Sequence, residues 1–388
     1  MLHFSLHDTI QIIDYIMQQA VIRRASDIHI EPFAGGTRVR FRIDGLLHEQ
    51  YSIDQVPSEQ LIARVKVIAN IDVAQTRLAQ DGKCTITVEK VFIDVRVSTF
   101  PSLYGQKIVM RLLYQSDTLV ALSDLGMQEE MLIQVHSLMQ RSSGFLLVSG
   151  PTGSGKTTTL YAILSVLNTI EKNIITLEDP VEYCIAGITQ GQVHTDIGFG
   201  FAQGMRALLR QDPDVVLIGE MRDHETMQTA LQAALTGHMV LSTIHTIDAS
   251  SVIMRLMDMG IEPFLINASV TGIIAQRLAR VLCVNCKQAA KPTLYEQEIL
   301  KKINADIDVL YKASGCEHCY GVGFKGRTGI FELVIMDDIL RQTITVTPSL
   351  AHIRQHINIQ GFKTMMHDGI EKIKRGIIPL EELMRCIW

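Results

Sequence analysis

The chain has 388 residues with 36 Lys and Arg against 41 Asp and Glu, a net charge of −5. That length suggests two or three domains, and 47% hydrophobic with 20% charged residues is globular composition, not disorder. No apolar run approaches the roughly 18 residues a membrane-spanning helix needs, and an acidic balance without a basic tail argues against binding nucleic acid by charge alone.

The opening segment MLHFSLHDTI has no basic stretch followed by an apolar core, so no signal peptide is read there. Ile12, Ile13, Ile16, Met17, Ala20 and Val21 then fall on one helical stripe. In Thr37–Ile43 the arginines alternate with Val39, Phe41 and Ile43, a half-buried strand, and Asp44-Gly45 marks a tight hairpin. Phe92–Ser98 repeats the pattern, with Ile93, Val95 and Val97 inward and Asp94 and Arg96 outward. A small α+β domain over 1–115 is expected, then a linker over 116–126.

After the linker the pattern changes. Met131–Arg141 reads as a helix, with Gly144 as its expected cap. Short, wholly apolar runs follow at Phe145–Ser149, Ile174–Leu177, Val215–Ile218 and Met239–Thr243, alternating with helices. Such runs fit parallel strands covered on both faces, so a doubly wound α/β domain is expected over 127–280.

Gly150-Pro151-Thr152-Gly153-Ser154-Gly155-Lys156-Thr157 matches GxxxxGK[ST] at every fixed position. A strand runs into it and a helix out of it, the context that gives the motif meaning. Glycines let successive amides turn inward around phosphates, and the helix terminus adds partial positive charge. Lys156 is expected to reach the β- and γ-phosphates of ATP, and Thr157 to ligate Mg²⁺, with Thr158 completing the loop. Hydrolysis needs more. Glu178 and Glu220 stand where strands end, the side on which a parallel sheet binds its ligands, so both are expected to face the phosphates. Gly219 occupies the place of a metal-binding Asp in many such enzymes, so contact from Glu220 to Mg²⁺ is expected through water.

Seven cysteines are no disulfide scaffold. Cys283 and Cys286 form one CxxC pair and Cys316 and Cys319 another, with 29 residues between them. Four thiolates from two such pairs suit a closed, structural Zn²⁺ site. A redox dithiol would instead need one CxxC at a helix start after a strand. This element is expected over 281–330, with a helical part over 331–388.

The sequence resembles the secretion and type IV pilus assembly ATPases, the type II/IV secretion superfamily. The resemblance rests on GPTGSGKTTTLYA, TLEDPVEY (176–183), LLRQDPDVVLIGEMRD (208–223), TGHMVLSTIHT (236–246), SDIHIEP (26–32) and RVRFRIDG (38–45). It implies a PAS-like N-terminal domain before a RecA-like ATPase domain. Glu178 would polarise the attacking water and Glu220 hold Mg²⁺ through waters, with the two roles open to exchange. His238 and His245 would sense the γ-phosphate or couple it to the sheet, His245 the stronger candidate. Arg96 and Arg111 would bring positive charge from the N-terminal domain, whereas Arg206 and Arg210 read first as solvated or interface residues. His318 reads as a bystander within its knuckle.

The resemblance further implies a homo-hexameric ring at the cytoplasmic face of an inner membrane. It would act on a platform protein to assemble a pilus or pseudopilus, with membrane association through partners and no direct nucleic acid. Assembly-type relatives carry the four cysteines and retraction-type ones typically lack them, so assembly is expected over retraction or a DNA-export motor. The longer relatives begin with an additional docking domain, whereas the arginine-bearing domain here begins near residue 1.

Overall fold

The structure, a computed structural model, describes residues 8–114, 119–346, 348–359 and 362–388. It forms two compact units that divide after residue 117. The opening residues 1–7, and residues 115–118 at the start of the expected linker, lie outside the described residues.

The N-terminal unit begins with α1 (Thr9–Ile22), capped by the Asp8 carboxylate, which accepts from the Ile10 amide at 3.0 Å. Strands β1 (Asp27–Phe33), β2 (Gly36–Ile43) and β3 (Leu46–Ile53) follow, then α2 (Ser58–Ile68), β4 (Gln80–Val88), β5 (Val91–Ser102) and β6 (Gly105–Tyr114). They make one antiparallel sheet in the order β3-β2-β1-β6-β5-β4. Asp44 and Gly45 both take positive φ, as a two-residue turn matched to strand twist requires, and Ile43 pairs with Leu46 across it. The apolar face of the sheet (Ile28, Ile30, Val39, Phe41, Val95, Val97, Met110) is buried with Ile12, Ile16, Leu61 and Val65 of the helices. The alternation expected for β2 and β5 is what the sheet shows, although Ile43 is only half-buried. On the polar face, Glu31 gathers Arg38, Arg40 and Lys107, and Asp27 gathers Arg42 and Arg111. Burial works against the Glu31 charge, but bonds from Arg40 and Lys107 hold its carboxyl down at about 2.

In the second unit, residues 119–126 are not a free-spanning strap: Leu122 and Leu125 lie in a short 3₁₀ turn and are buried in its core. Helix α3 (Glu129–Met139) ends on Gln140, not at Gly144, which instead opens β7 (Gly144–Ser149). The unit continues with α4 (Lys156–Leu167), β8 (Ile174–Glu178), β9 (Thr189–Gln192), α5 (Phe201–Leu208), β10 (Val215–Ile218) and α6 (His224–Leu235). Then come β11 (Met239–Ile244), α7 (Ala249–Asp258), α8 (Pro263–Ser269) and β12 (Val270–Leu282). The last stretch contains β13 (Gln288–Ala290), α9 (Leu294–Lys302), β14 (Leu310–Lys312), β15 (Phe324–Ile335), α10 (Asp338–Val346), α11 (Leu350–Ile359), α12 (Met365–Lys374) and α13 (Leu380–Ile387).

The sheet order is β15-β12-β7-β11-β10-β8-β9, parallel throughout except β15. The strands of the parallel core are buried along their whole lengths in β7, β8, β10 and β11, as their apolar runs predict. Two long strands change the expected division of the chain. β12 and β15 pair antiparallel over most of their lengths, so the cysteine-bearing segment is an insertion between two strands of this sheet, not a separate tail.

The C-terminal helix is fastened to this sheet by charge. Glu382 is 1% exposed. Its carboxylate accepts from the Arg280 amide at 2.8 Å, from the Arg280 guanidinium at 2.8 and 3.1 Å, and from Arg385 at 2.7 and 2.9 Å. Burial opposes the charge, but Arg385 and Arg280 together hold the carboxyl at about 2. A carboxyl depressed from its ordinary range contributes stability that is present above that range and lost as pH falls toward the folded value. Glu382→Gln is therefore expected to destabilise this unit by about 3 kcal/mol at neutral pH. In unfolding measured against pH, the gap between native and variant should close as pH falls from about 5 toward 2.

Candidate functional site

The phosphate loop leaves the end of β7 and enters α4, whose first residue is Lys156. Gly150 has φ +149°, and a Cβ placed there would stand 2.5 Å from both the Gln276 carbonyl oxygen and Ser154 Oγ. No residue with a side chain fits that approach. Gly155, at φ +86°, begins the helix without a side-chain cap, leaving the amides of the first turn to a ligand. Lys156 is buried. Its ammonium donates to the carbonyls of Gly150 at 2.9 Å and Pro151 at 3.0 Å, within the loop itself. Burial lowers its pKa to about 8, against the opposing pull of Glu220 and with added repulsion from Arg277. Thr157 and Thr158 follow on the first turn of α4. Pro151, Thr152 and Gly153 form the exposed crown of the loop, and Ser154 lies buried beneath it.

Glu220, two residues beyond β10, shares the neighbourhood of Lys156 with His245, just past β11. His245 Nε2 lies 3.8 Å from the Glu220 carboxylate. Burial lowers the pKa of this imidazole and Lys156 lowers it further, keeping it neutral at physiological pH. Arg222 pairs directly with Glu220 and stands 3.9 Å from Asp179, the residue after Glu178. Arg222 belongs to no fixed position of the phosphate-loop pattern and stands out in the fold. Its signal was position: it lies two residues beyond Glu220 on the loop that leaves the strand end.

Glu178 is placed differently from Glu220. It is the last residue of β8 and 3% exposed. Its carboxylate accepts from the Tyr161 hydroxyl of α4, from Thr176 Oγ1 at 2.6 Å and from Gln190 Nε2 at 3.3 Å. Burial, then the bond to Glu178, drives the Tyr161 phenol far above its ordinary pKa, so it stays a donor. Three donors occupy three of roughly four acceptor positions on this carboxylate, leaving one for a water.

His238 does not join this group. It precedes β11, so the strand separates it from His245 by roughly 20 Å. Its Nδ1 lies 2.9 Å from the Ala233 carbonyl near the end of α6, the contact of a helix-terminus residue. Arg206 is exposed and pairs with Glu225, while Arg210 donates to the Arg206 carbonyl at 2.8 Å. On the polar face of the N-terminal sheet, Arg96 and Arg111 are direct cross-strand neighbours on β5 and β6. Arg111 Nε bonds Asp27 at 3.0 Å, whereas Arg96 makes no hydrogen bond or ion pair among the described residues. Like charges placed side by side repel, and an anion between them relieves that repulsion.

The four cysteines converge. Their sulfur atoms all lie within 4.8 Å of one another, with Cys283–Cys316 and Cys286–Cys319 at 3.8 Å and Cys316–Cys319 at 3.7 Å. Zinc–sulfur bonds near 2.3 Å in a tetrahedron put neighbouring thiolates about 3.8 Å apart, so the cluster is compatible with zinc. Backbone amides already point at the sulfurs: Gly315 to Cys286 at 3.3 Å, and Cys316 and Gly323 to Cys319 at 3.2 and 3.1 Å. Burial opposes thiolate formation at both. At Cys286 it prevails and the thiol rises to about 11; at Cys319 the two amides outweigh it and the thiol falls to about 7. His318 is turned to Lys325 at 2.9 Å and is not part of the cluster.

The family model described as "Type II/IV secretion system protein" matches residues 5–385. The type II secretion system ATPase E of Vibrio cholerae serotype O1 is 45% identical over 376 residues, covering 97% of this chain and 75% of that protein. The type II secretion system protein E of Pseudomonas aeruginosa is likewise 45% identical, with the same coverage. Among solved structures, the pilus retraction motor PilT with bound ADP superposes with TM-score 0.62 at 27% identity, covering 96% of each chain. The ATPase DotB of Legionella pneumophila, at 20% identity and TM-score 0.72 over 99% of this chain and 97% of that one, shares the fold.

Proposed function

Because this chain belongs to the type II/IV secretion system protein family, we propose that it is a Mg²⁺-dependent ATPase that powers assembly of a pseudopilus or pilus. The observation that supports it most is the convergence of Lys156, Glu220 and His245 on a phosphate loop at the carboxyl ends of parallel strands. Water attacks the γ-phosphorus, the bond to the β-phosphate oxygen breaks, and ADP and phosphate leave. Lys156 exchanges its two loop carbonyls for β- and γ-phosphate oxygens. The Thr157 hydroxyl would hold Mg²⁺ and Glu220 would reach it through water; when bound, the ion would supply positive charge against the charge that develops on the phosphates. Glu178, oriented by Tyr161 and Thr176, polarises the attacking water. His245, neutral beside Glu220, reports the γ-phosphate to β11. Arg96 and Arg111 supply positive charge from the N-terminal unit.

In this proposal the free energy of hydrolysis is used mechanically. No helix among the described residues is long and apolar enough to cross a membrane. In the proposed arrangement, six copies form a ring at the cytoplasmic face of an inner membrane and act through a platform protein. The four-cysteine cluster favours assembly over retraction. Cys283, Cys286, Cys316 and Cys319 hold one Zn²⁺ whose role is structural, since no ligand position stays open for chemistry. Elemental analysis of freshly purified, reduced protein should find one zinc per chain, and a strong chelator should lower the unfolding temperature while releasing it. Metal-free protein of unchanged stability would count against this.

Phosphate release by the purified chain tests the whole reading. Release that requires Mg²⁺ and collapses in the Arg96→Gln, Arg111→Gln double variant supports it. An assembled preparation that binds ATP but never turns it over would be a nucleotide switch, and nucleotide-dependent retention of DNA on a filter would revive the DNA-motor alternative.

A further inference from the structure

Two consecutive residues of β12 touch both loops of the candidate site, and neither belongs to any motif so far described. Parallel pairing sets Ala275 opposite Ser149, so Gln276 and Arg277 lie beside the start of the phosphate loop. Gln276 is 1% exposed. Its Nε2 donates to the Ser154 carbonyl oxygen at 2.7 Å, and its Oε1 accepts from Thr159 Oγ1 at 2.8 Å. One side chain thus joins the loop's backbone to the first turn of α4. Its own carbonyl oxygen forms the wall that excludes a side chain at position 150.

Arg277 donates to that same Gln276 carbonyl at 3.0 Å and to the Ile247 carbonyl at 2.5 Å. Ile247 lies two residues beyond His245, on the loop between β11 and α7. A second contact joins the end of β7 to the same loop, where Ser149 Oγ and Thr246 Oγ1 lie 2.7 Å apart. Glycine-rich loops have few internal hydrogen bonds, so their position depends on neighbours that occupy their carbonyls.

We propose that Gln276 and Arg277 are a positioning pair: Gln276 fixes where the phosphate loop's amides stand, and Arg277 carries that setting to the loop bearing His245. This rests on the nucleotide-site reading above. The two halves have separable consequences. Gln276 acts on ground-state binding, because the loop amides meet phosphates in every bound state. Arg277 acts on the chemical step, because it positions a group expected to respond to the γ-phosphate.

The test uses the full chain, a fluorescent MgADP analogue for affinity, and steady-state phosphate release. Gln276→Glu keeps shape and the Thr159 bond but sets a carboxylate oxygen against the Ser154 carbonyl. It should weaken nucleotide binding about tenfold with unfolding temperature retained. Arg277→Lys keeps charge but cannot span two carbonyls. It should lower kcat about tenfold while KM stays within about twofold. If Gln276→Glu does not fold, Thr159→Val removes only the outer anchor of Gln276; a Kd raised at least about threefold supports the pair, and an unchanged Kd overturns it. A folded Gln276→Glu chain with native affinity, or an Arg277→Lys chain with native kcat, also overturns it. A native chain that binds no analogue at all defeats the nucleotide reading itself, an outcome separate from these.

Discussion

Lys156→Ala is expected to abolish ATP turnover, by a factor on the order of 10³ or more. The side chain is buried, its pKa lies at about 8, and two loop carbonyls and the nearby Glu220 compensate its charge. An ammonium held there costs desolvation in the nucleotide-free site, and that cost is recovered when phosphate oxygens replace the carbonyls. Alanine loses the charge at the position where charge develops on the transferred group. The loss should fall on kcat as well as affinity, because the interaction strengthens as the γ-phosphate separates. The variant should keep its fold, since removing the ammonium leaves two carbonyls at the mouth of the loop that water can satisfy. Phosphate release measured beside unfolding temperature separates the two. A folded variant turning over within about tenfold of native would remove Lys156 from the catalytic assignment.

Glu178→Gln should slow hydrolysis on the order of 10²-fold while ATP stays bound. The amide is nearly isosteric and can still accept from Tyr161, so the site keeps its shape. It no longer accepts a proton or polarises water as a carboxylate does. Acid quench of loaded protein should recover mostly ATP, where the native chain yields mostly ADP. The contrast with Glu220→Gln is decisive between the two acids. Glu220 faces Lys156, Arg222 and His245, so its loss should weaken Mg²⁺ dependence and affinity together. If Glu220→Gln traps ATP and Glu178→Gln turns over freely, the two roles are exchanged, and Glu178 is a buried anchor for Tyr161.

What could be read from the sequence follows how local each signal is. The phosphate loop, the CxxC pairs and the period-two runs of β2 and β5 depend on spacing within a few residues, and spacing survives folding intact. The place of β12 and β15 was not legible, because their pairing is separated by the cysteine insertion and neither run announces its partner. The expected linker contained Leu122 and Leu125, whose burial depends on a core built from distant residues. Glycine follows many helices, so Gly144 suggests a cap, yet it opens a strand. His238 could have been placed from chain direction alone: it precedes β11, whereas phosphate-side residues follow their strands. Gln276 and Arg277 lie within a long apolar strand, and their role comes from contacts no local pattern encodes.

The insertion has a further implication. Leu282 and Phe324 are cross-strand partners, and the Cys283 amide bonds the Gly323 carbonyl at 3.0 Å, so the 283–323 excursion departs and returns at one point. It is a cassette on a hairpin. Excising it and joining the two strands by a short turn would leave every strand of the sheet in its original neighbourhood, at the expense of the packing that Ile299, Leu300 and Leu310 give the core. The cysteine-bearing module is thus one removable piece of chain, and its loss would leave the sheet beneath it threaded as before.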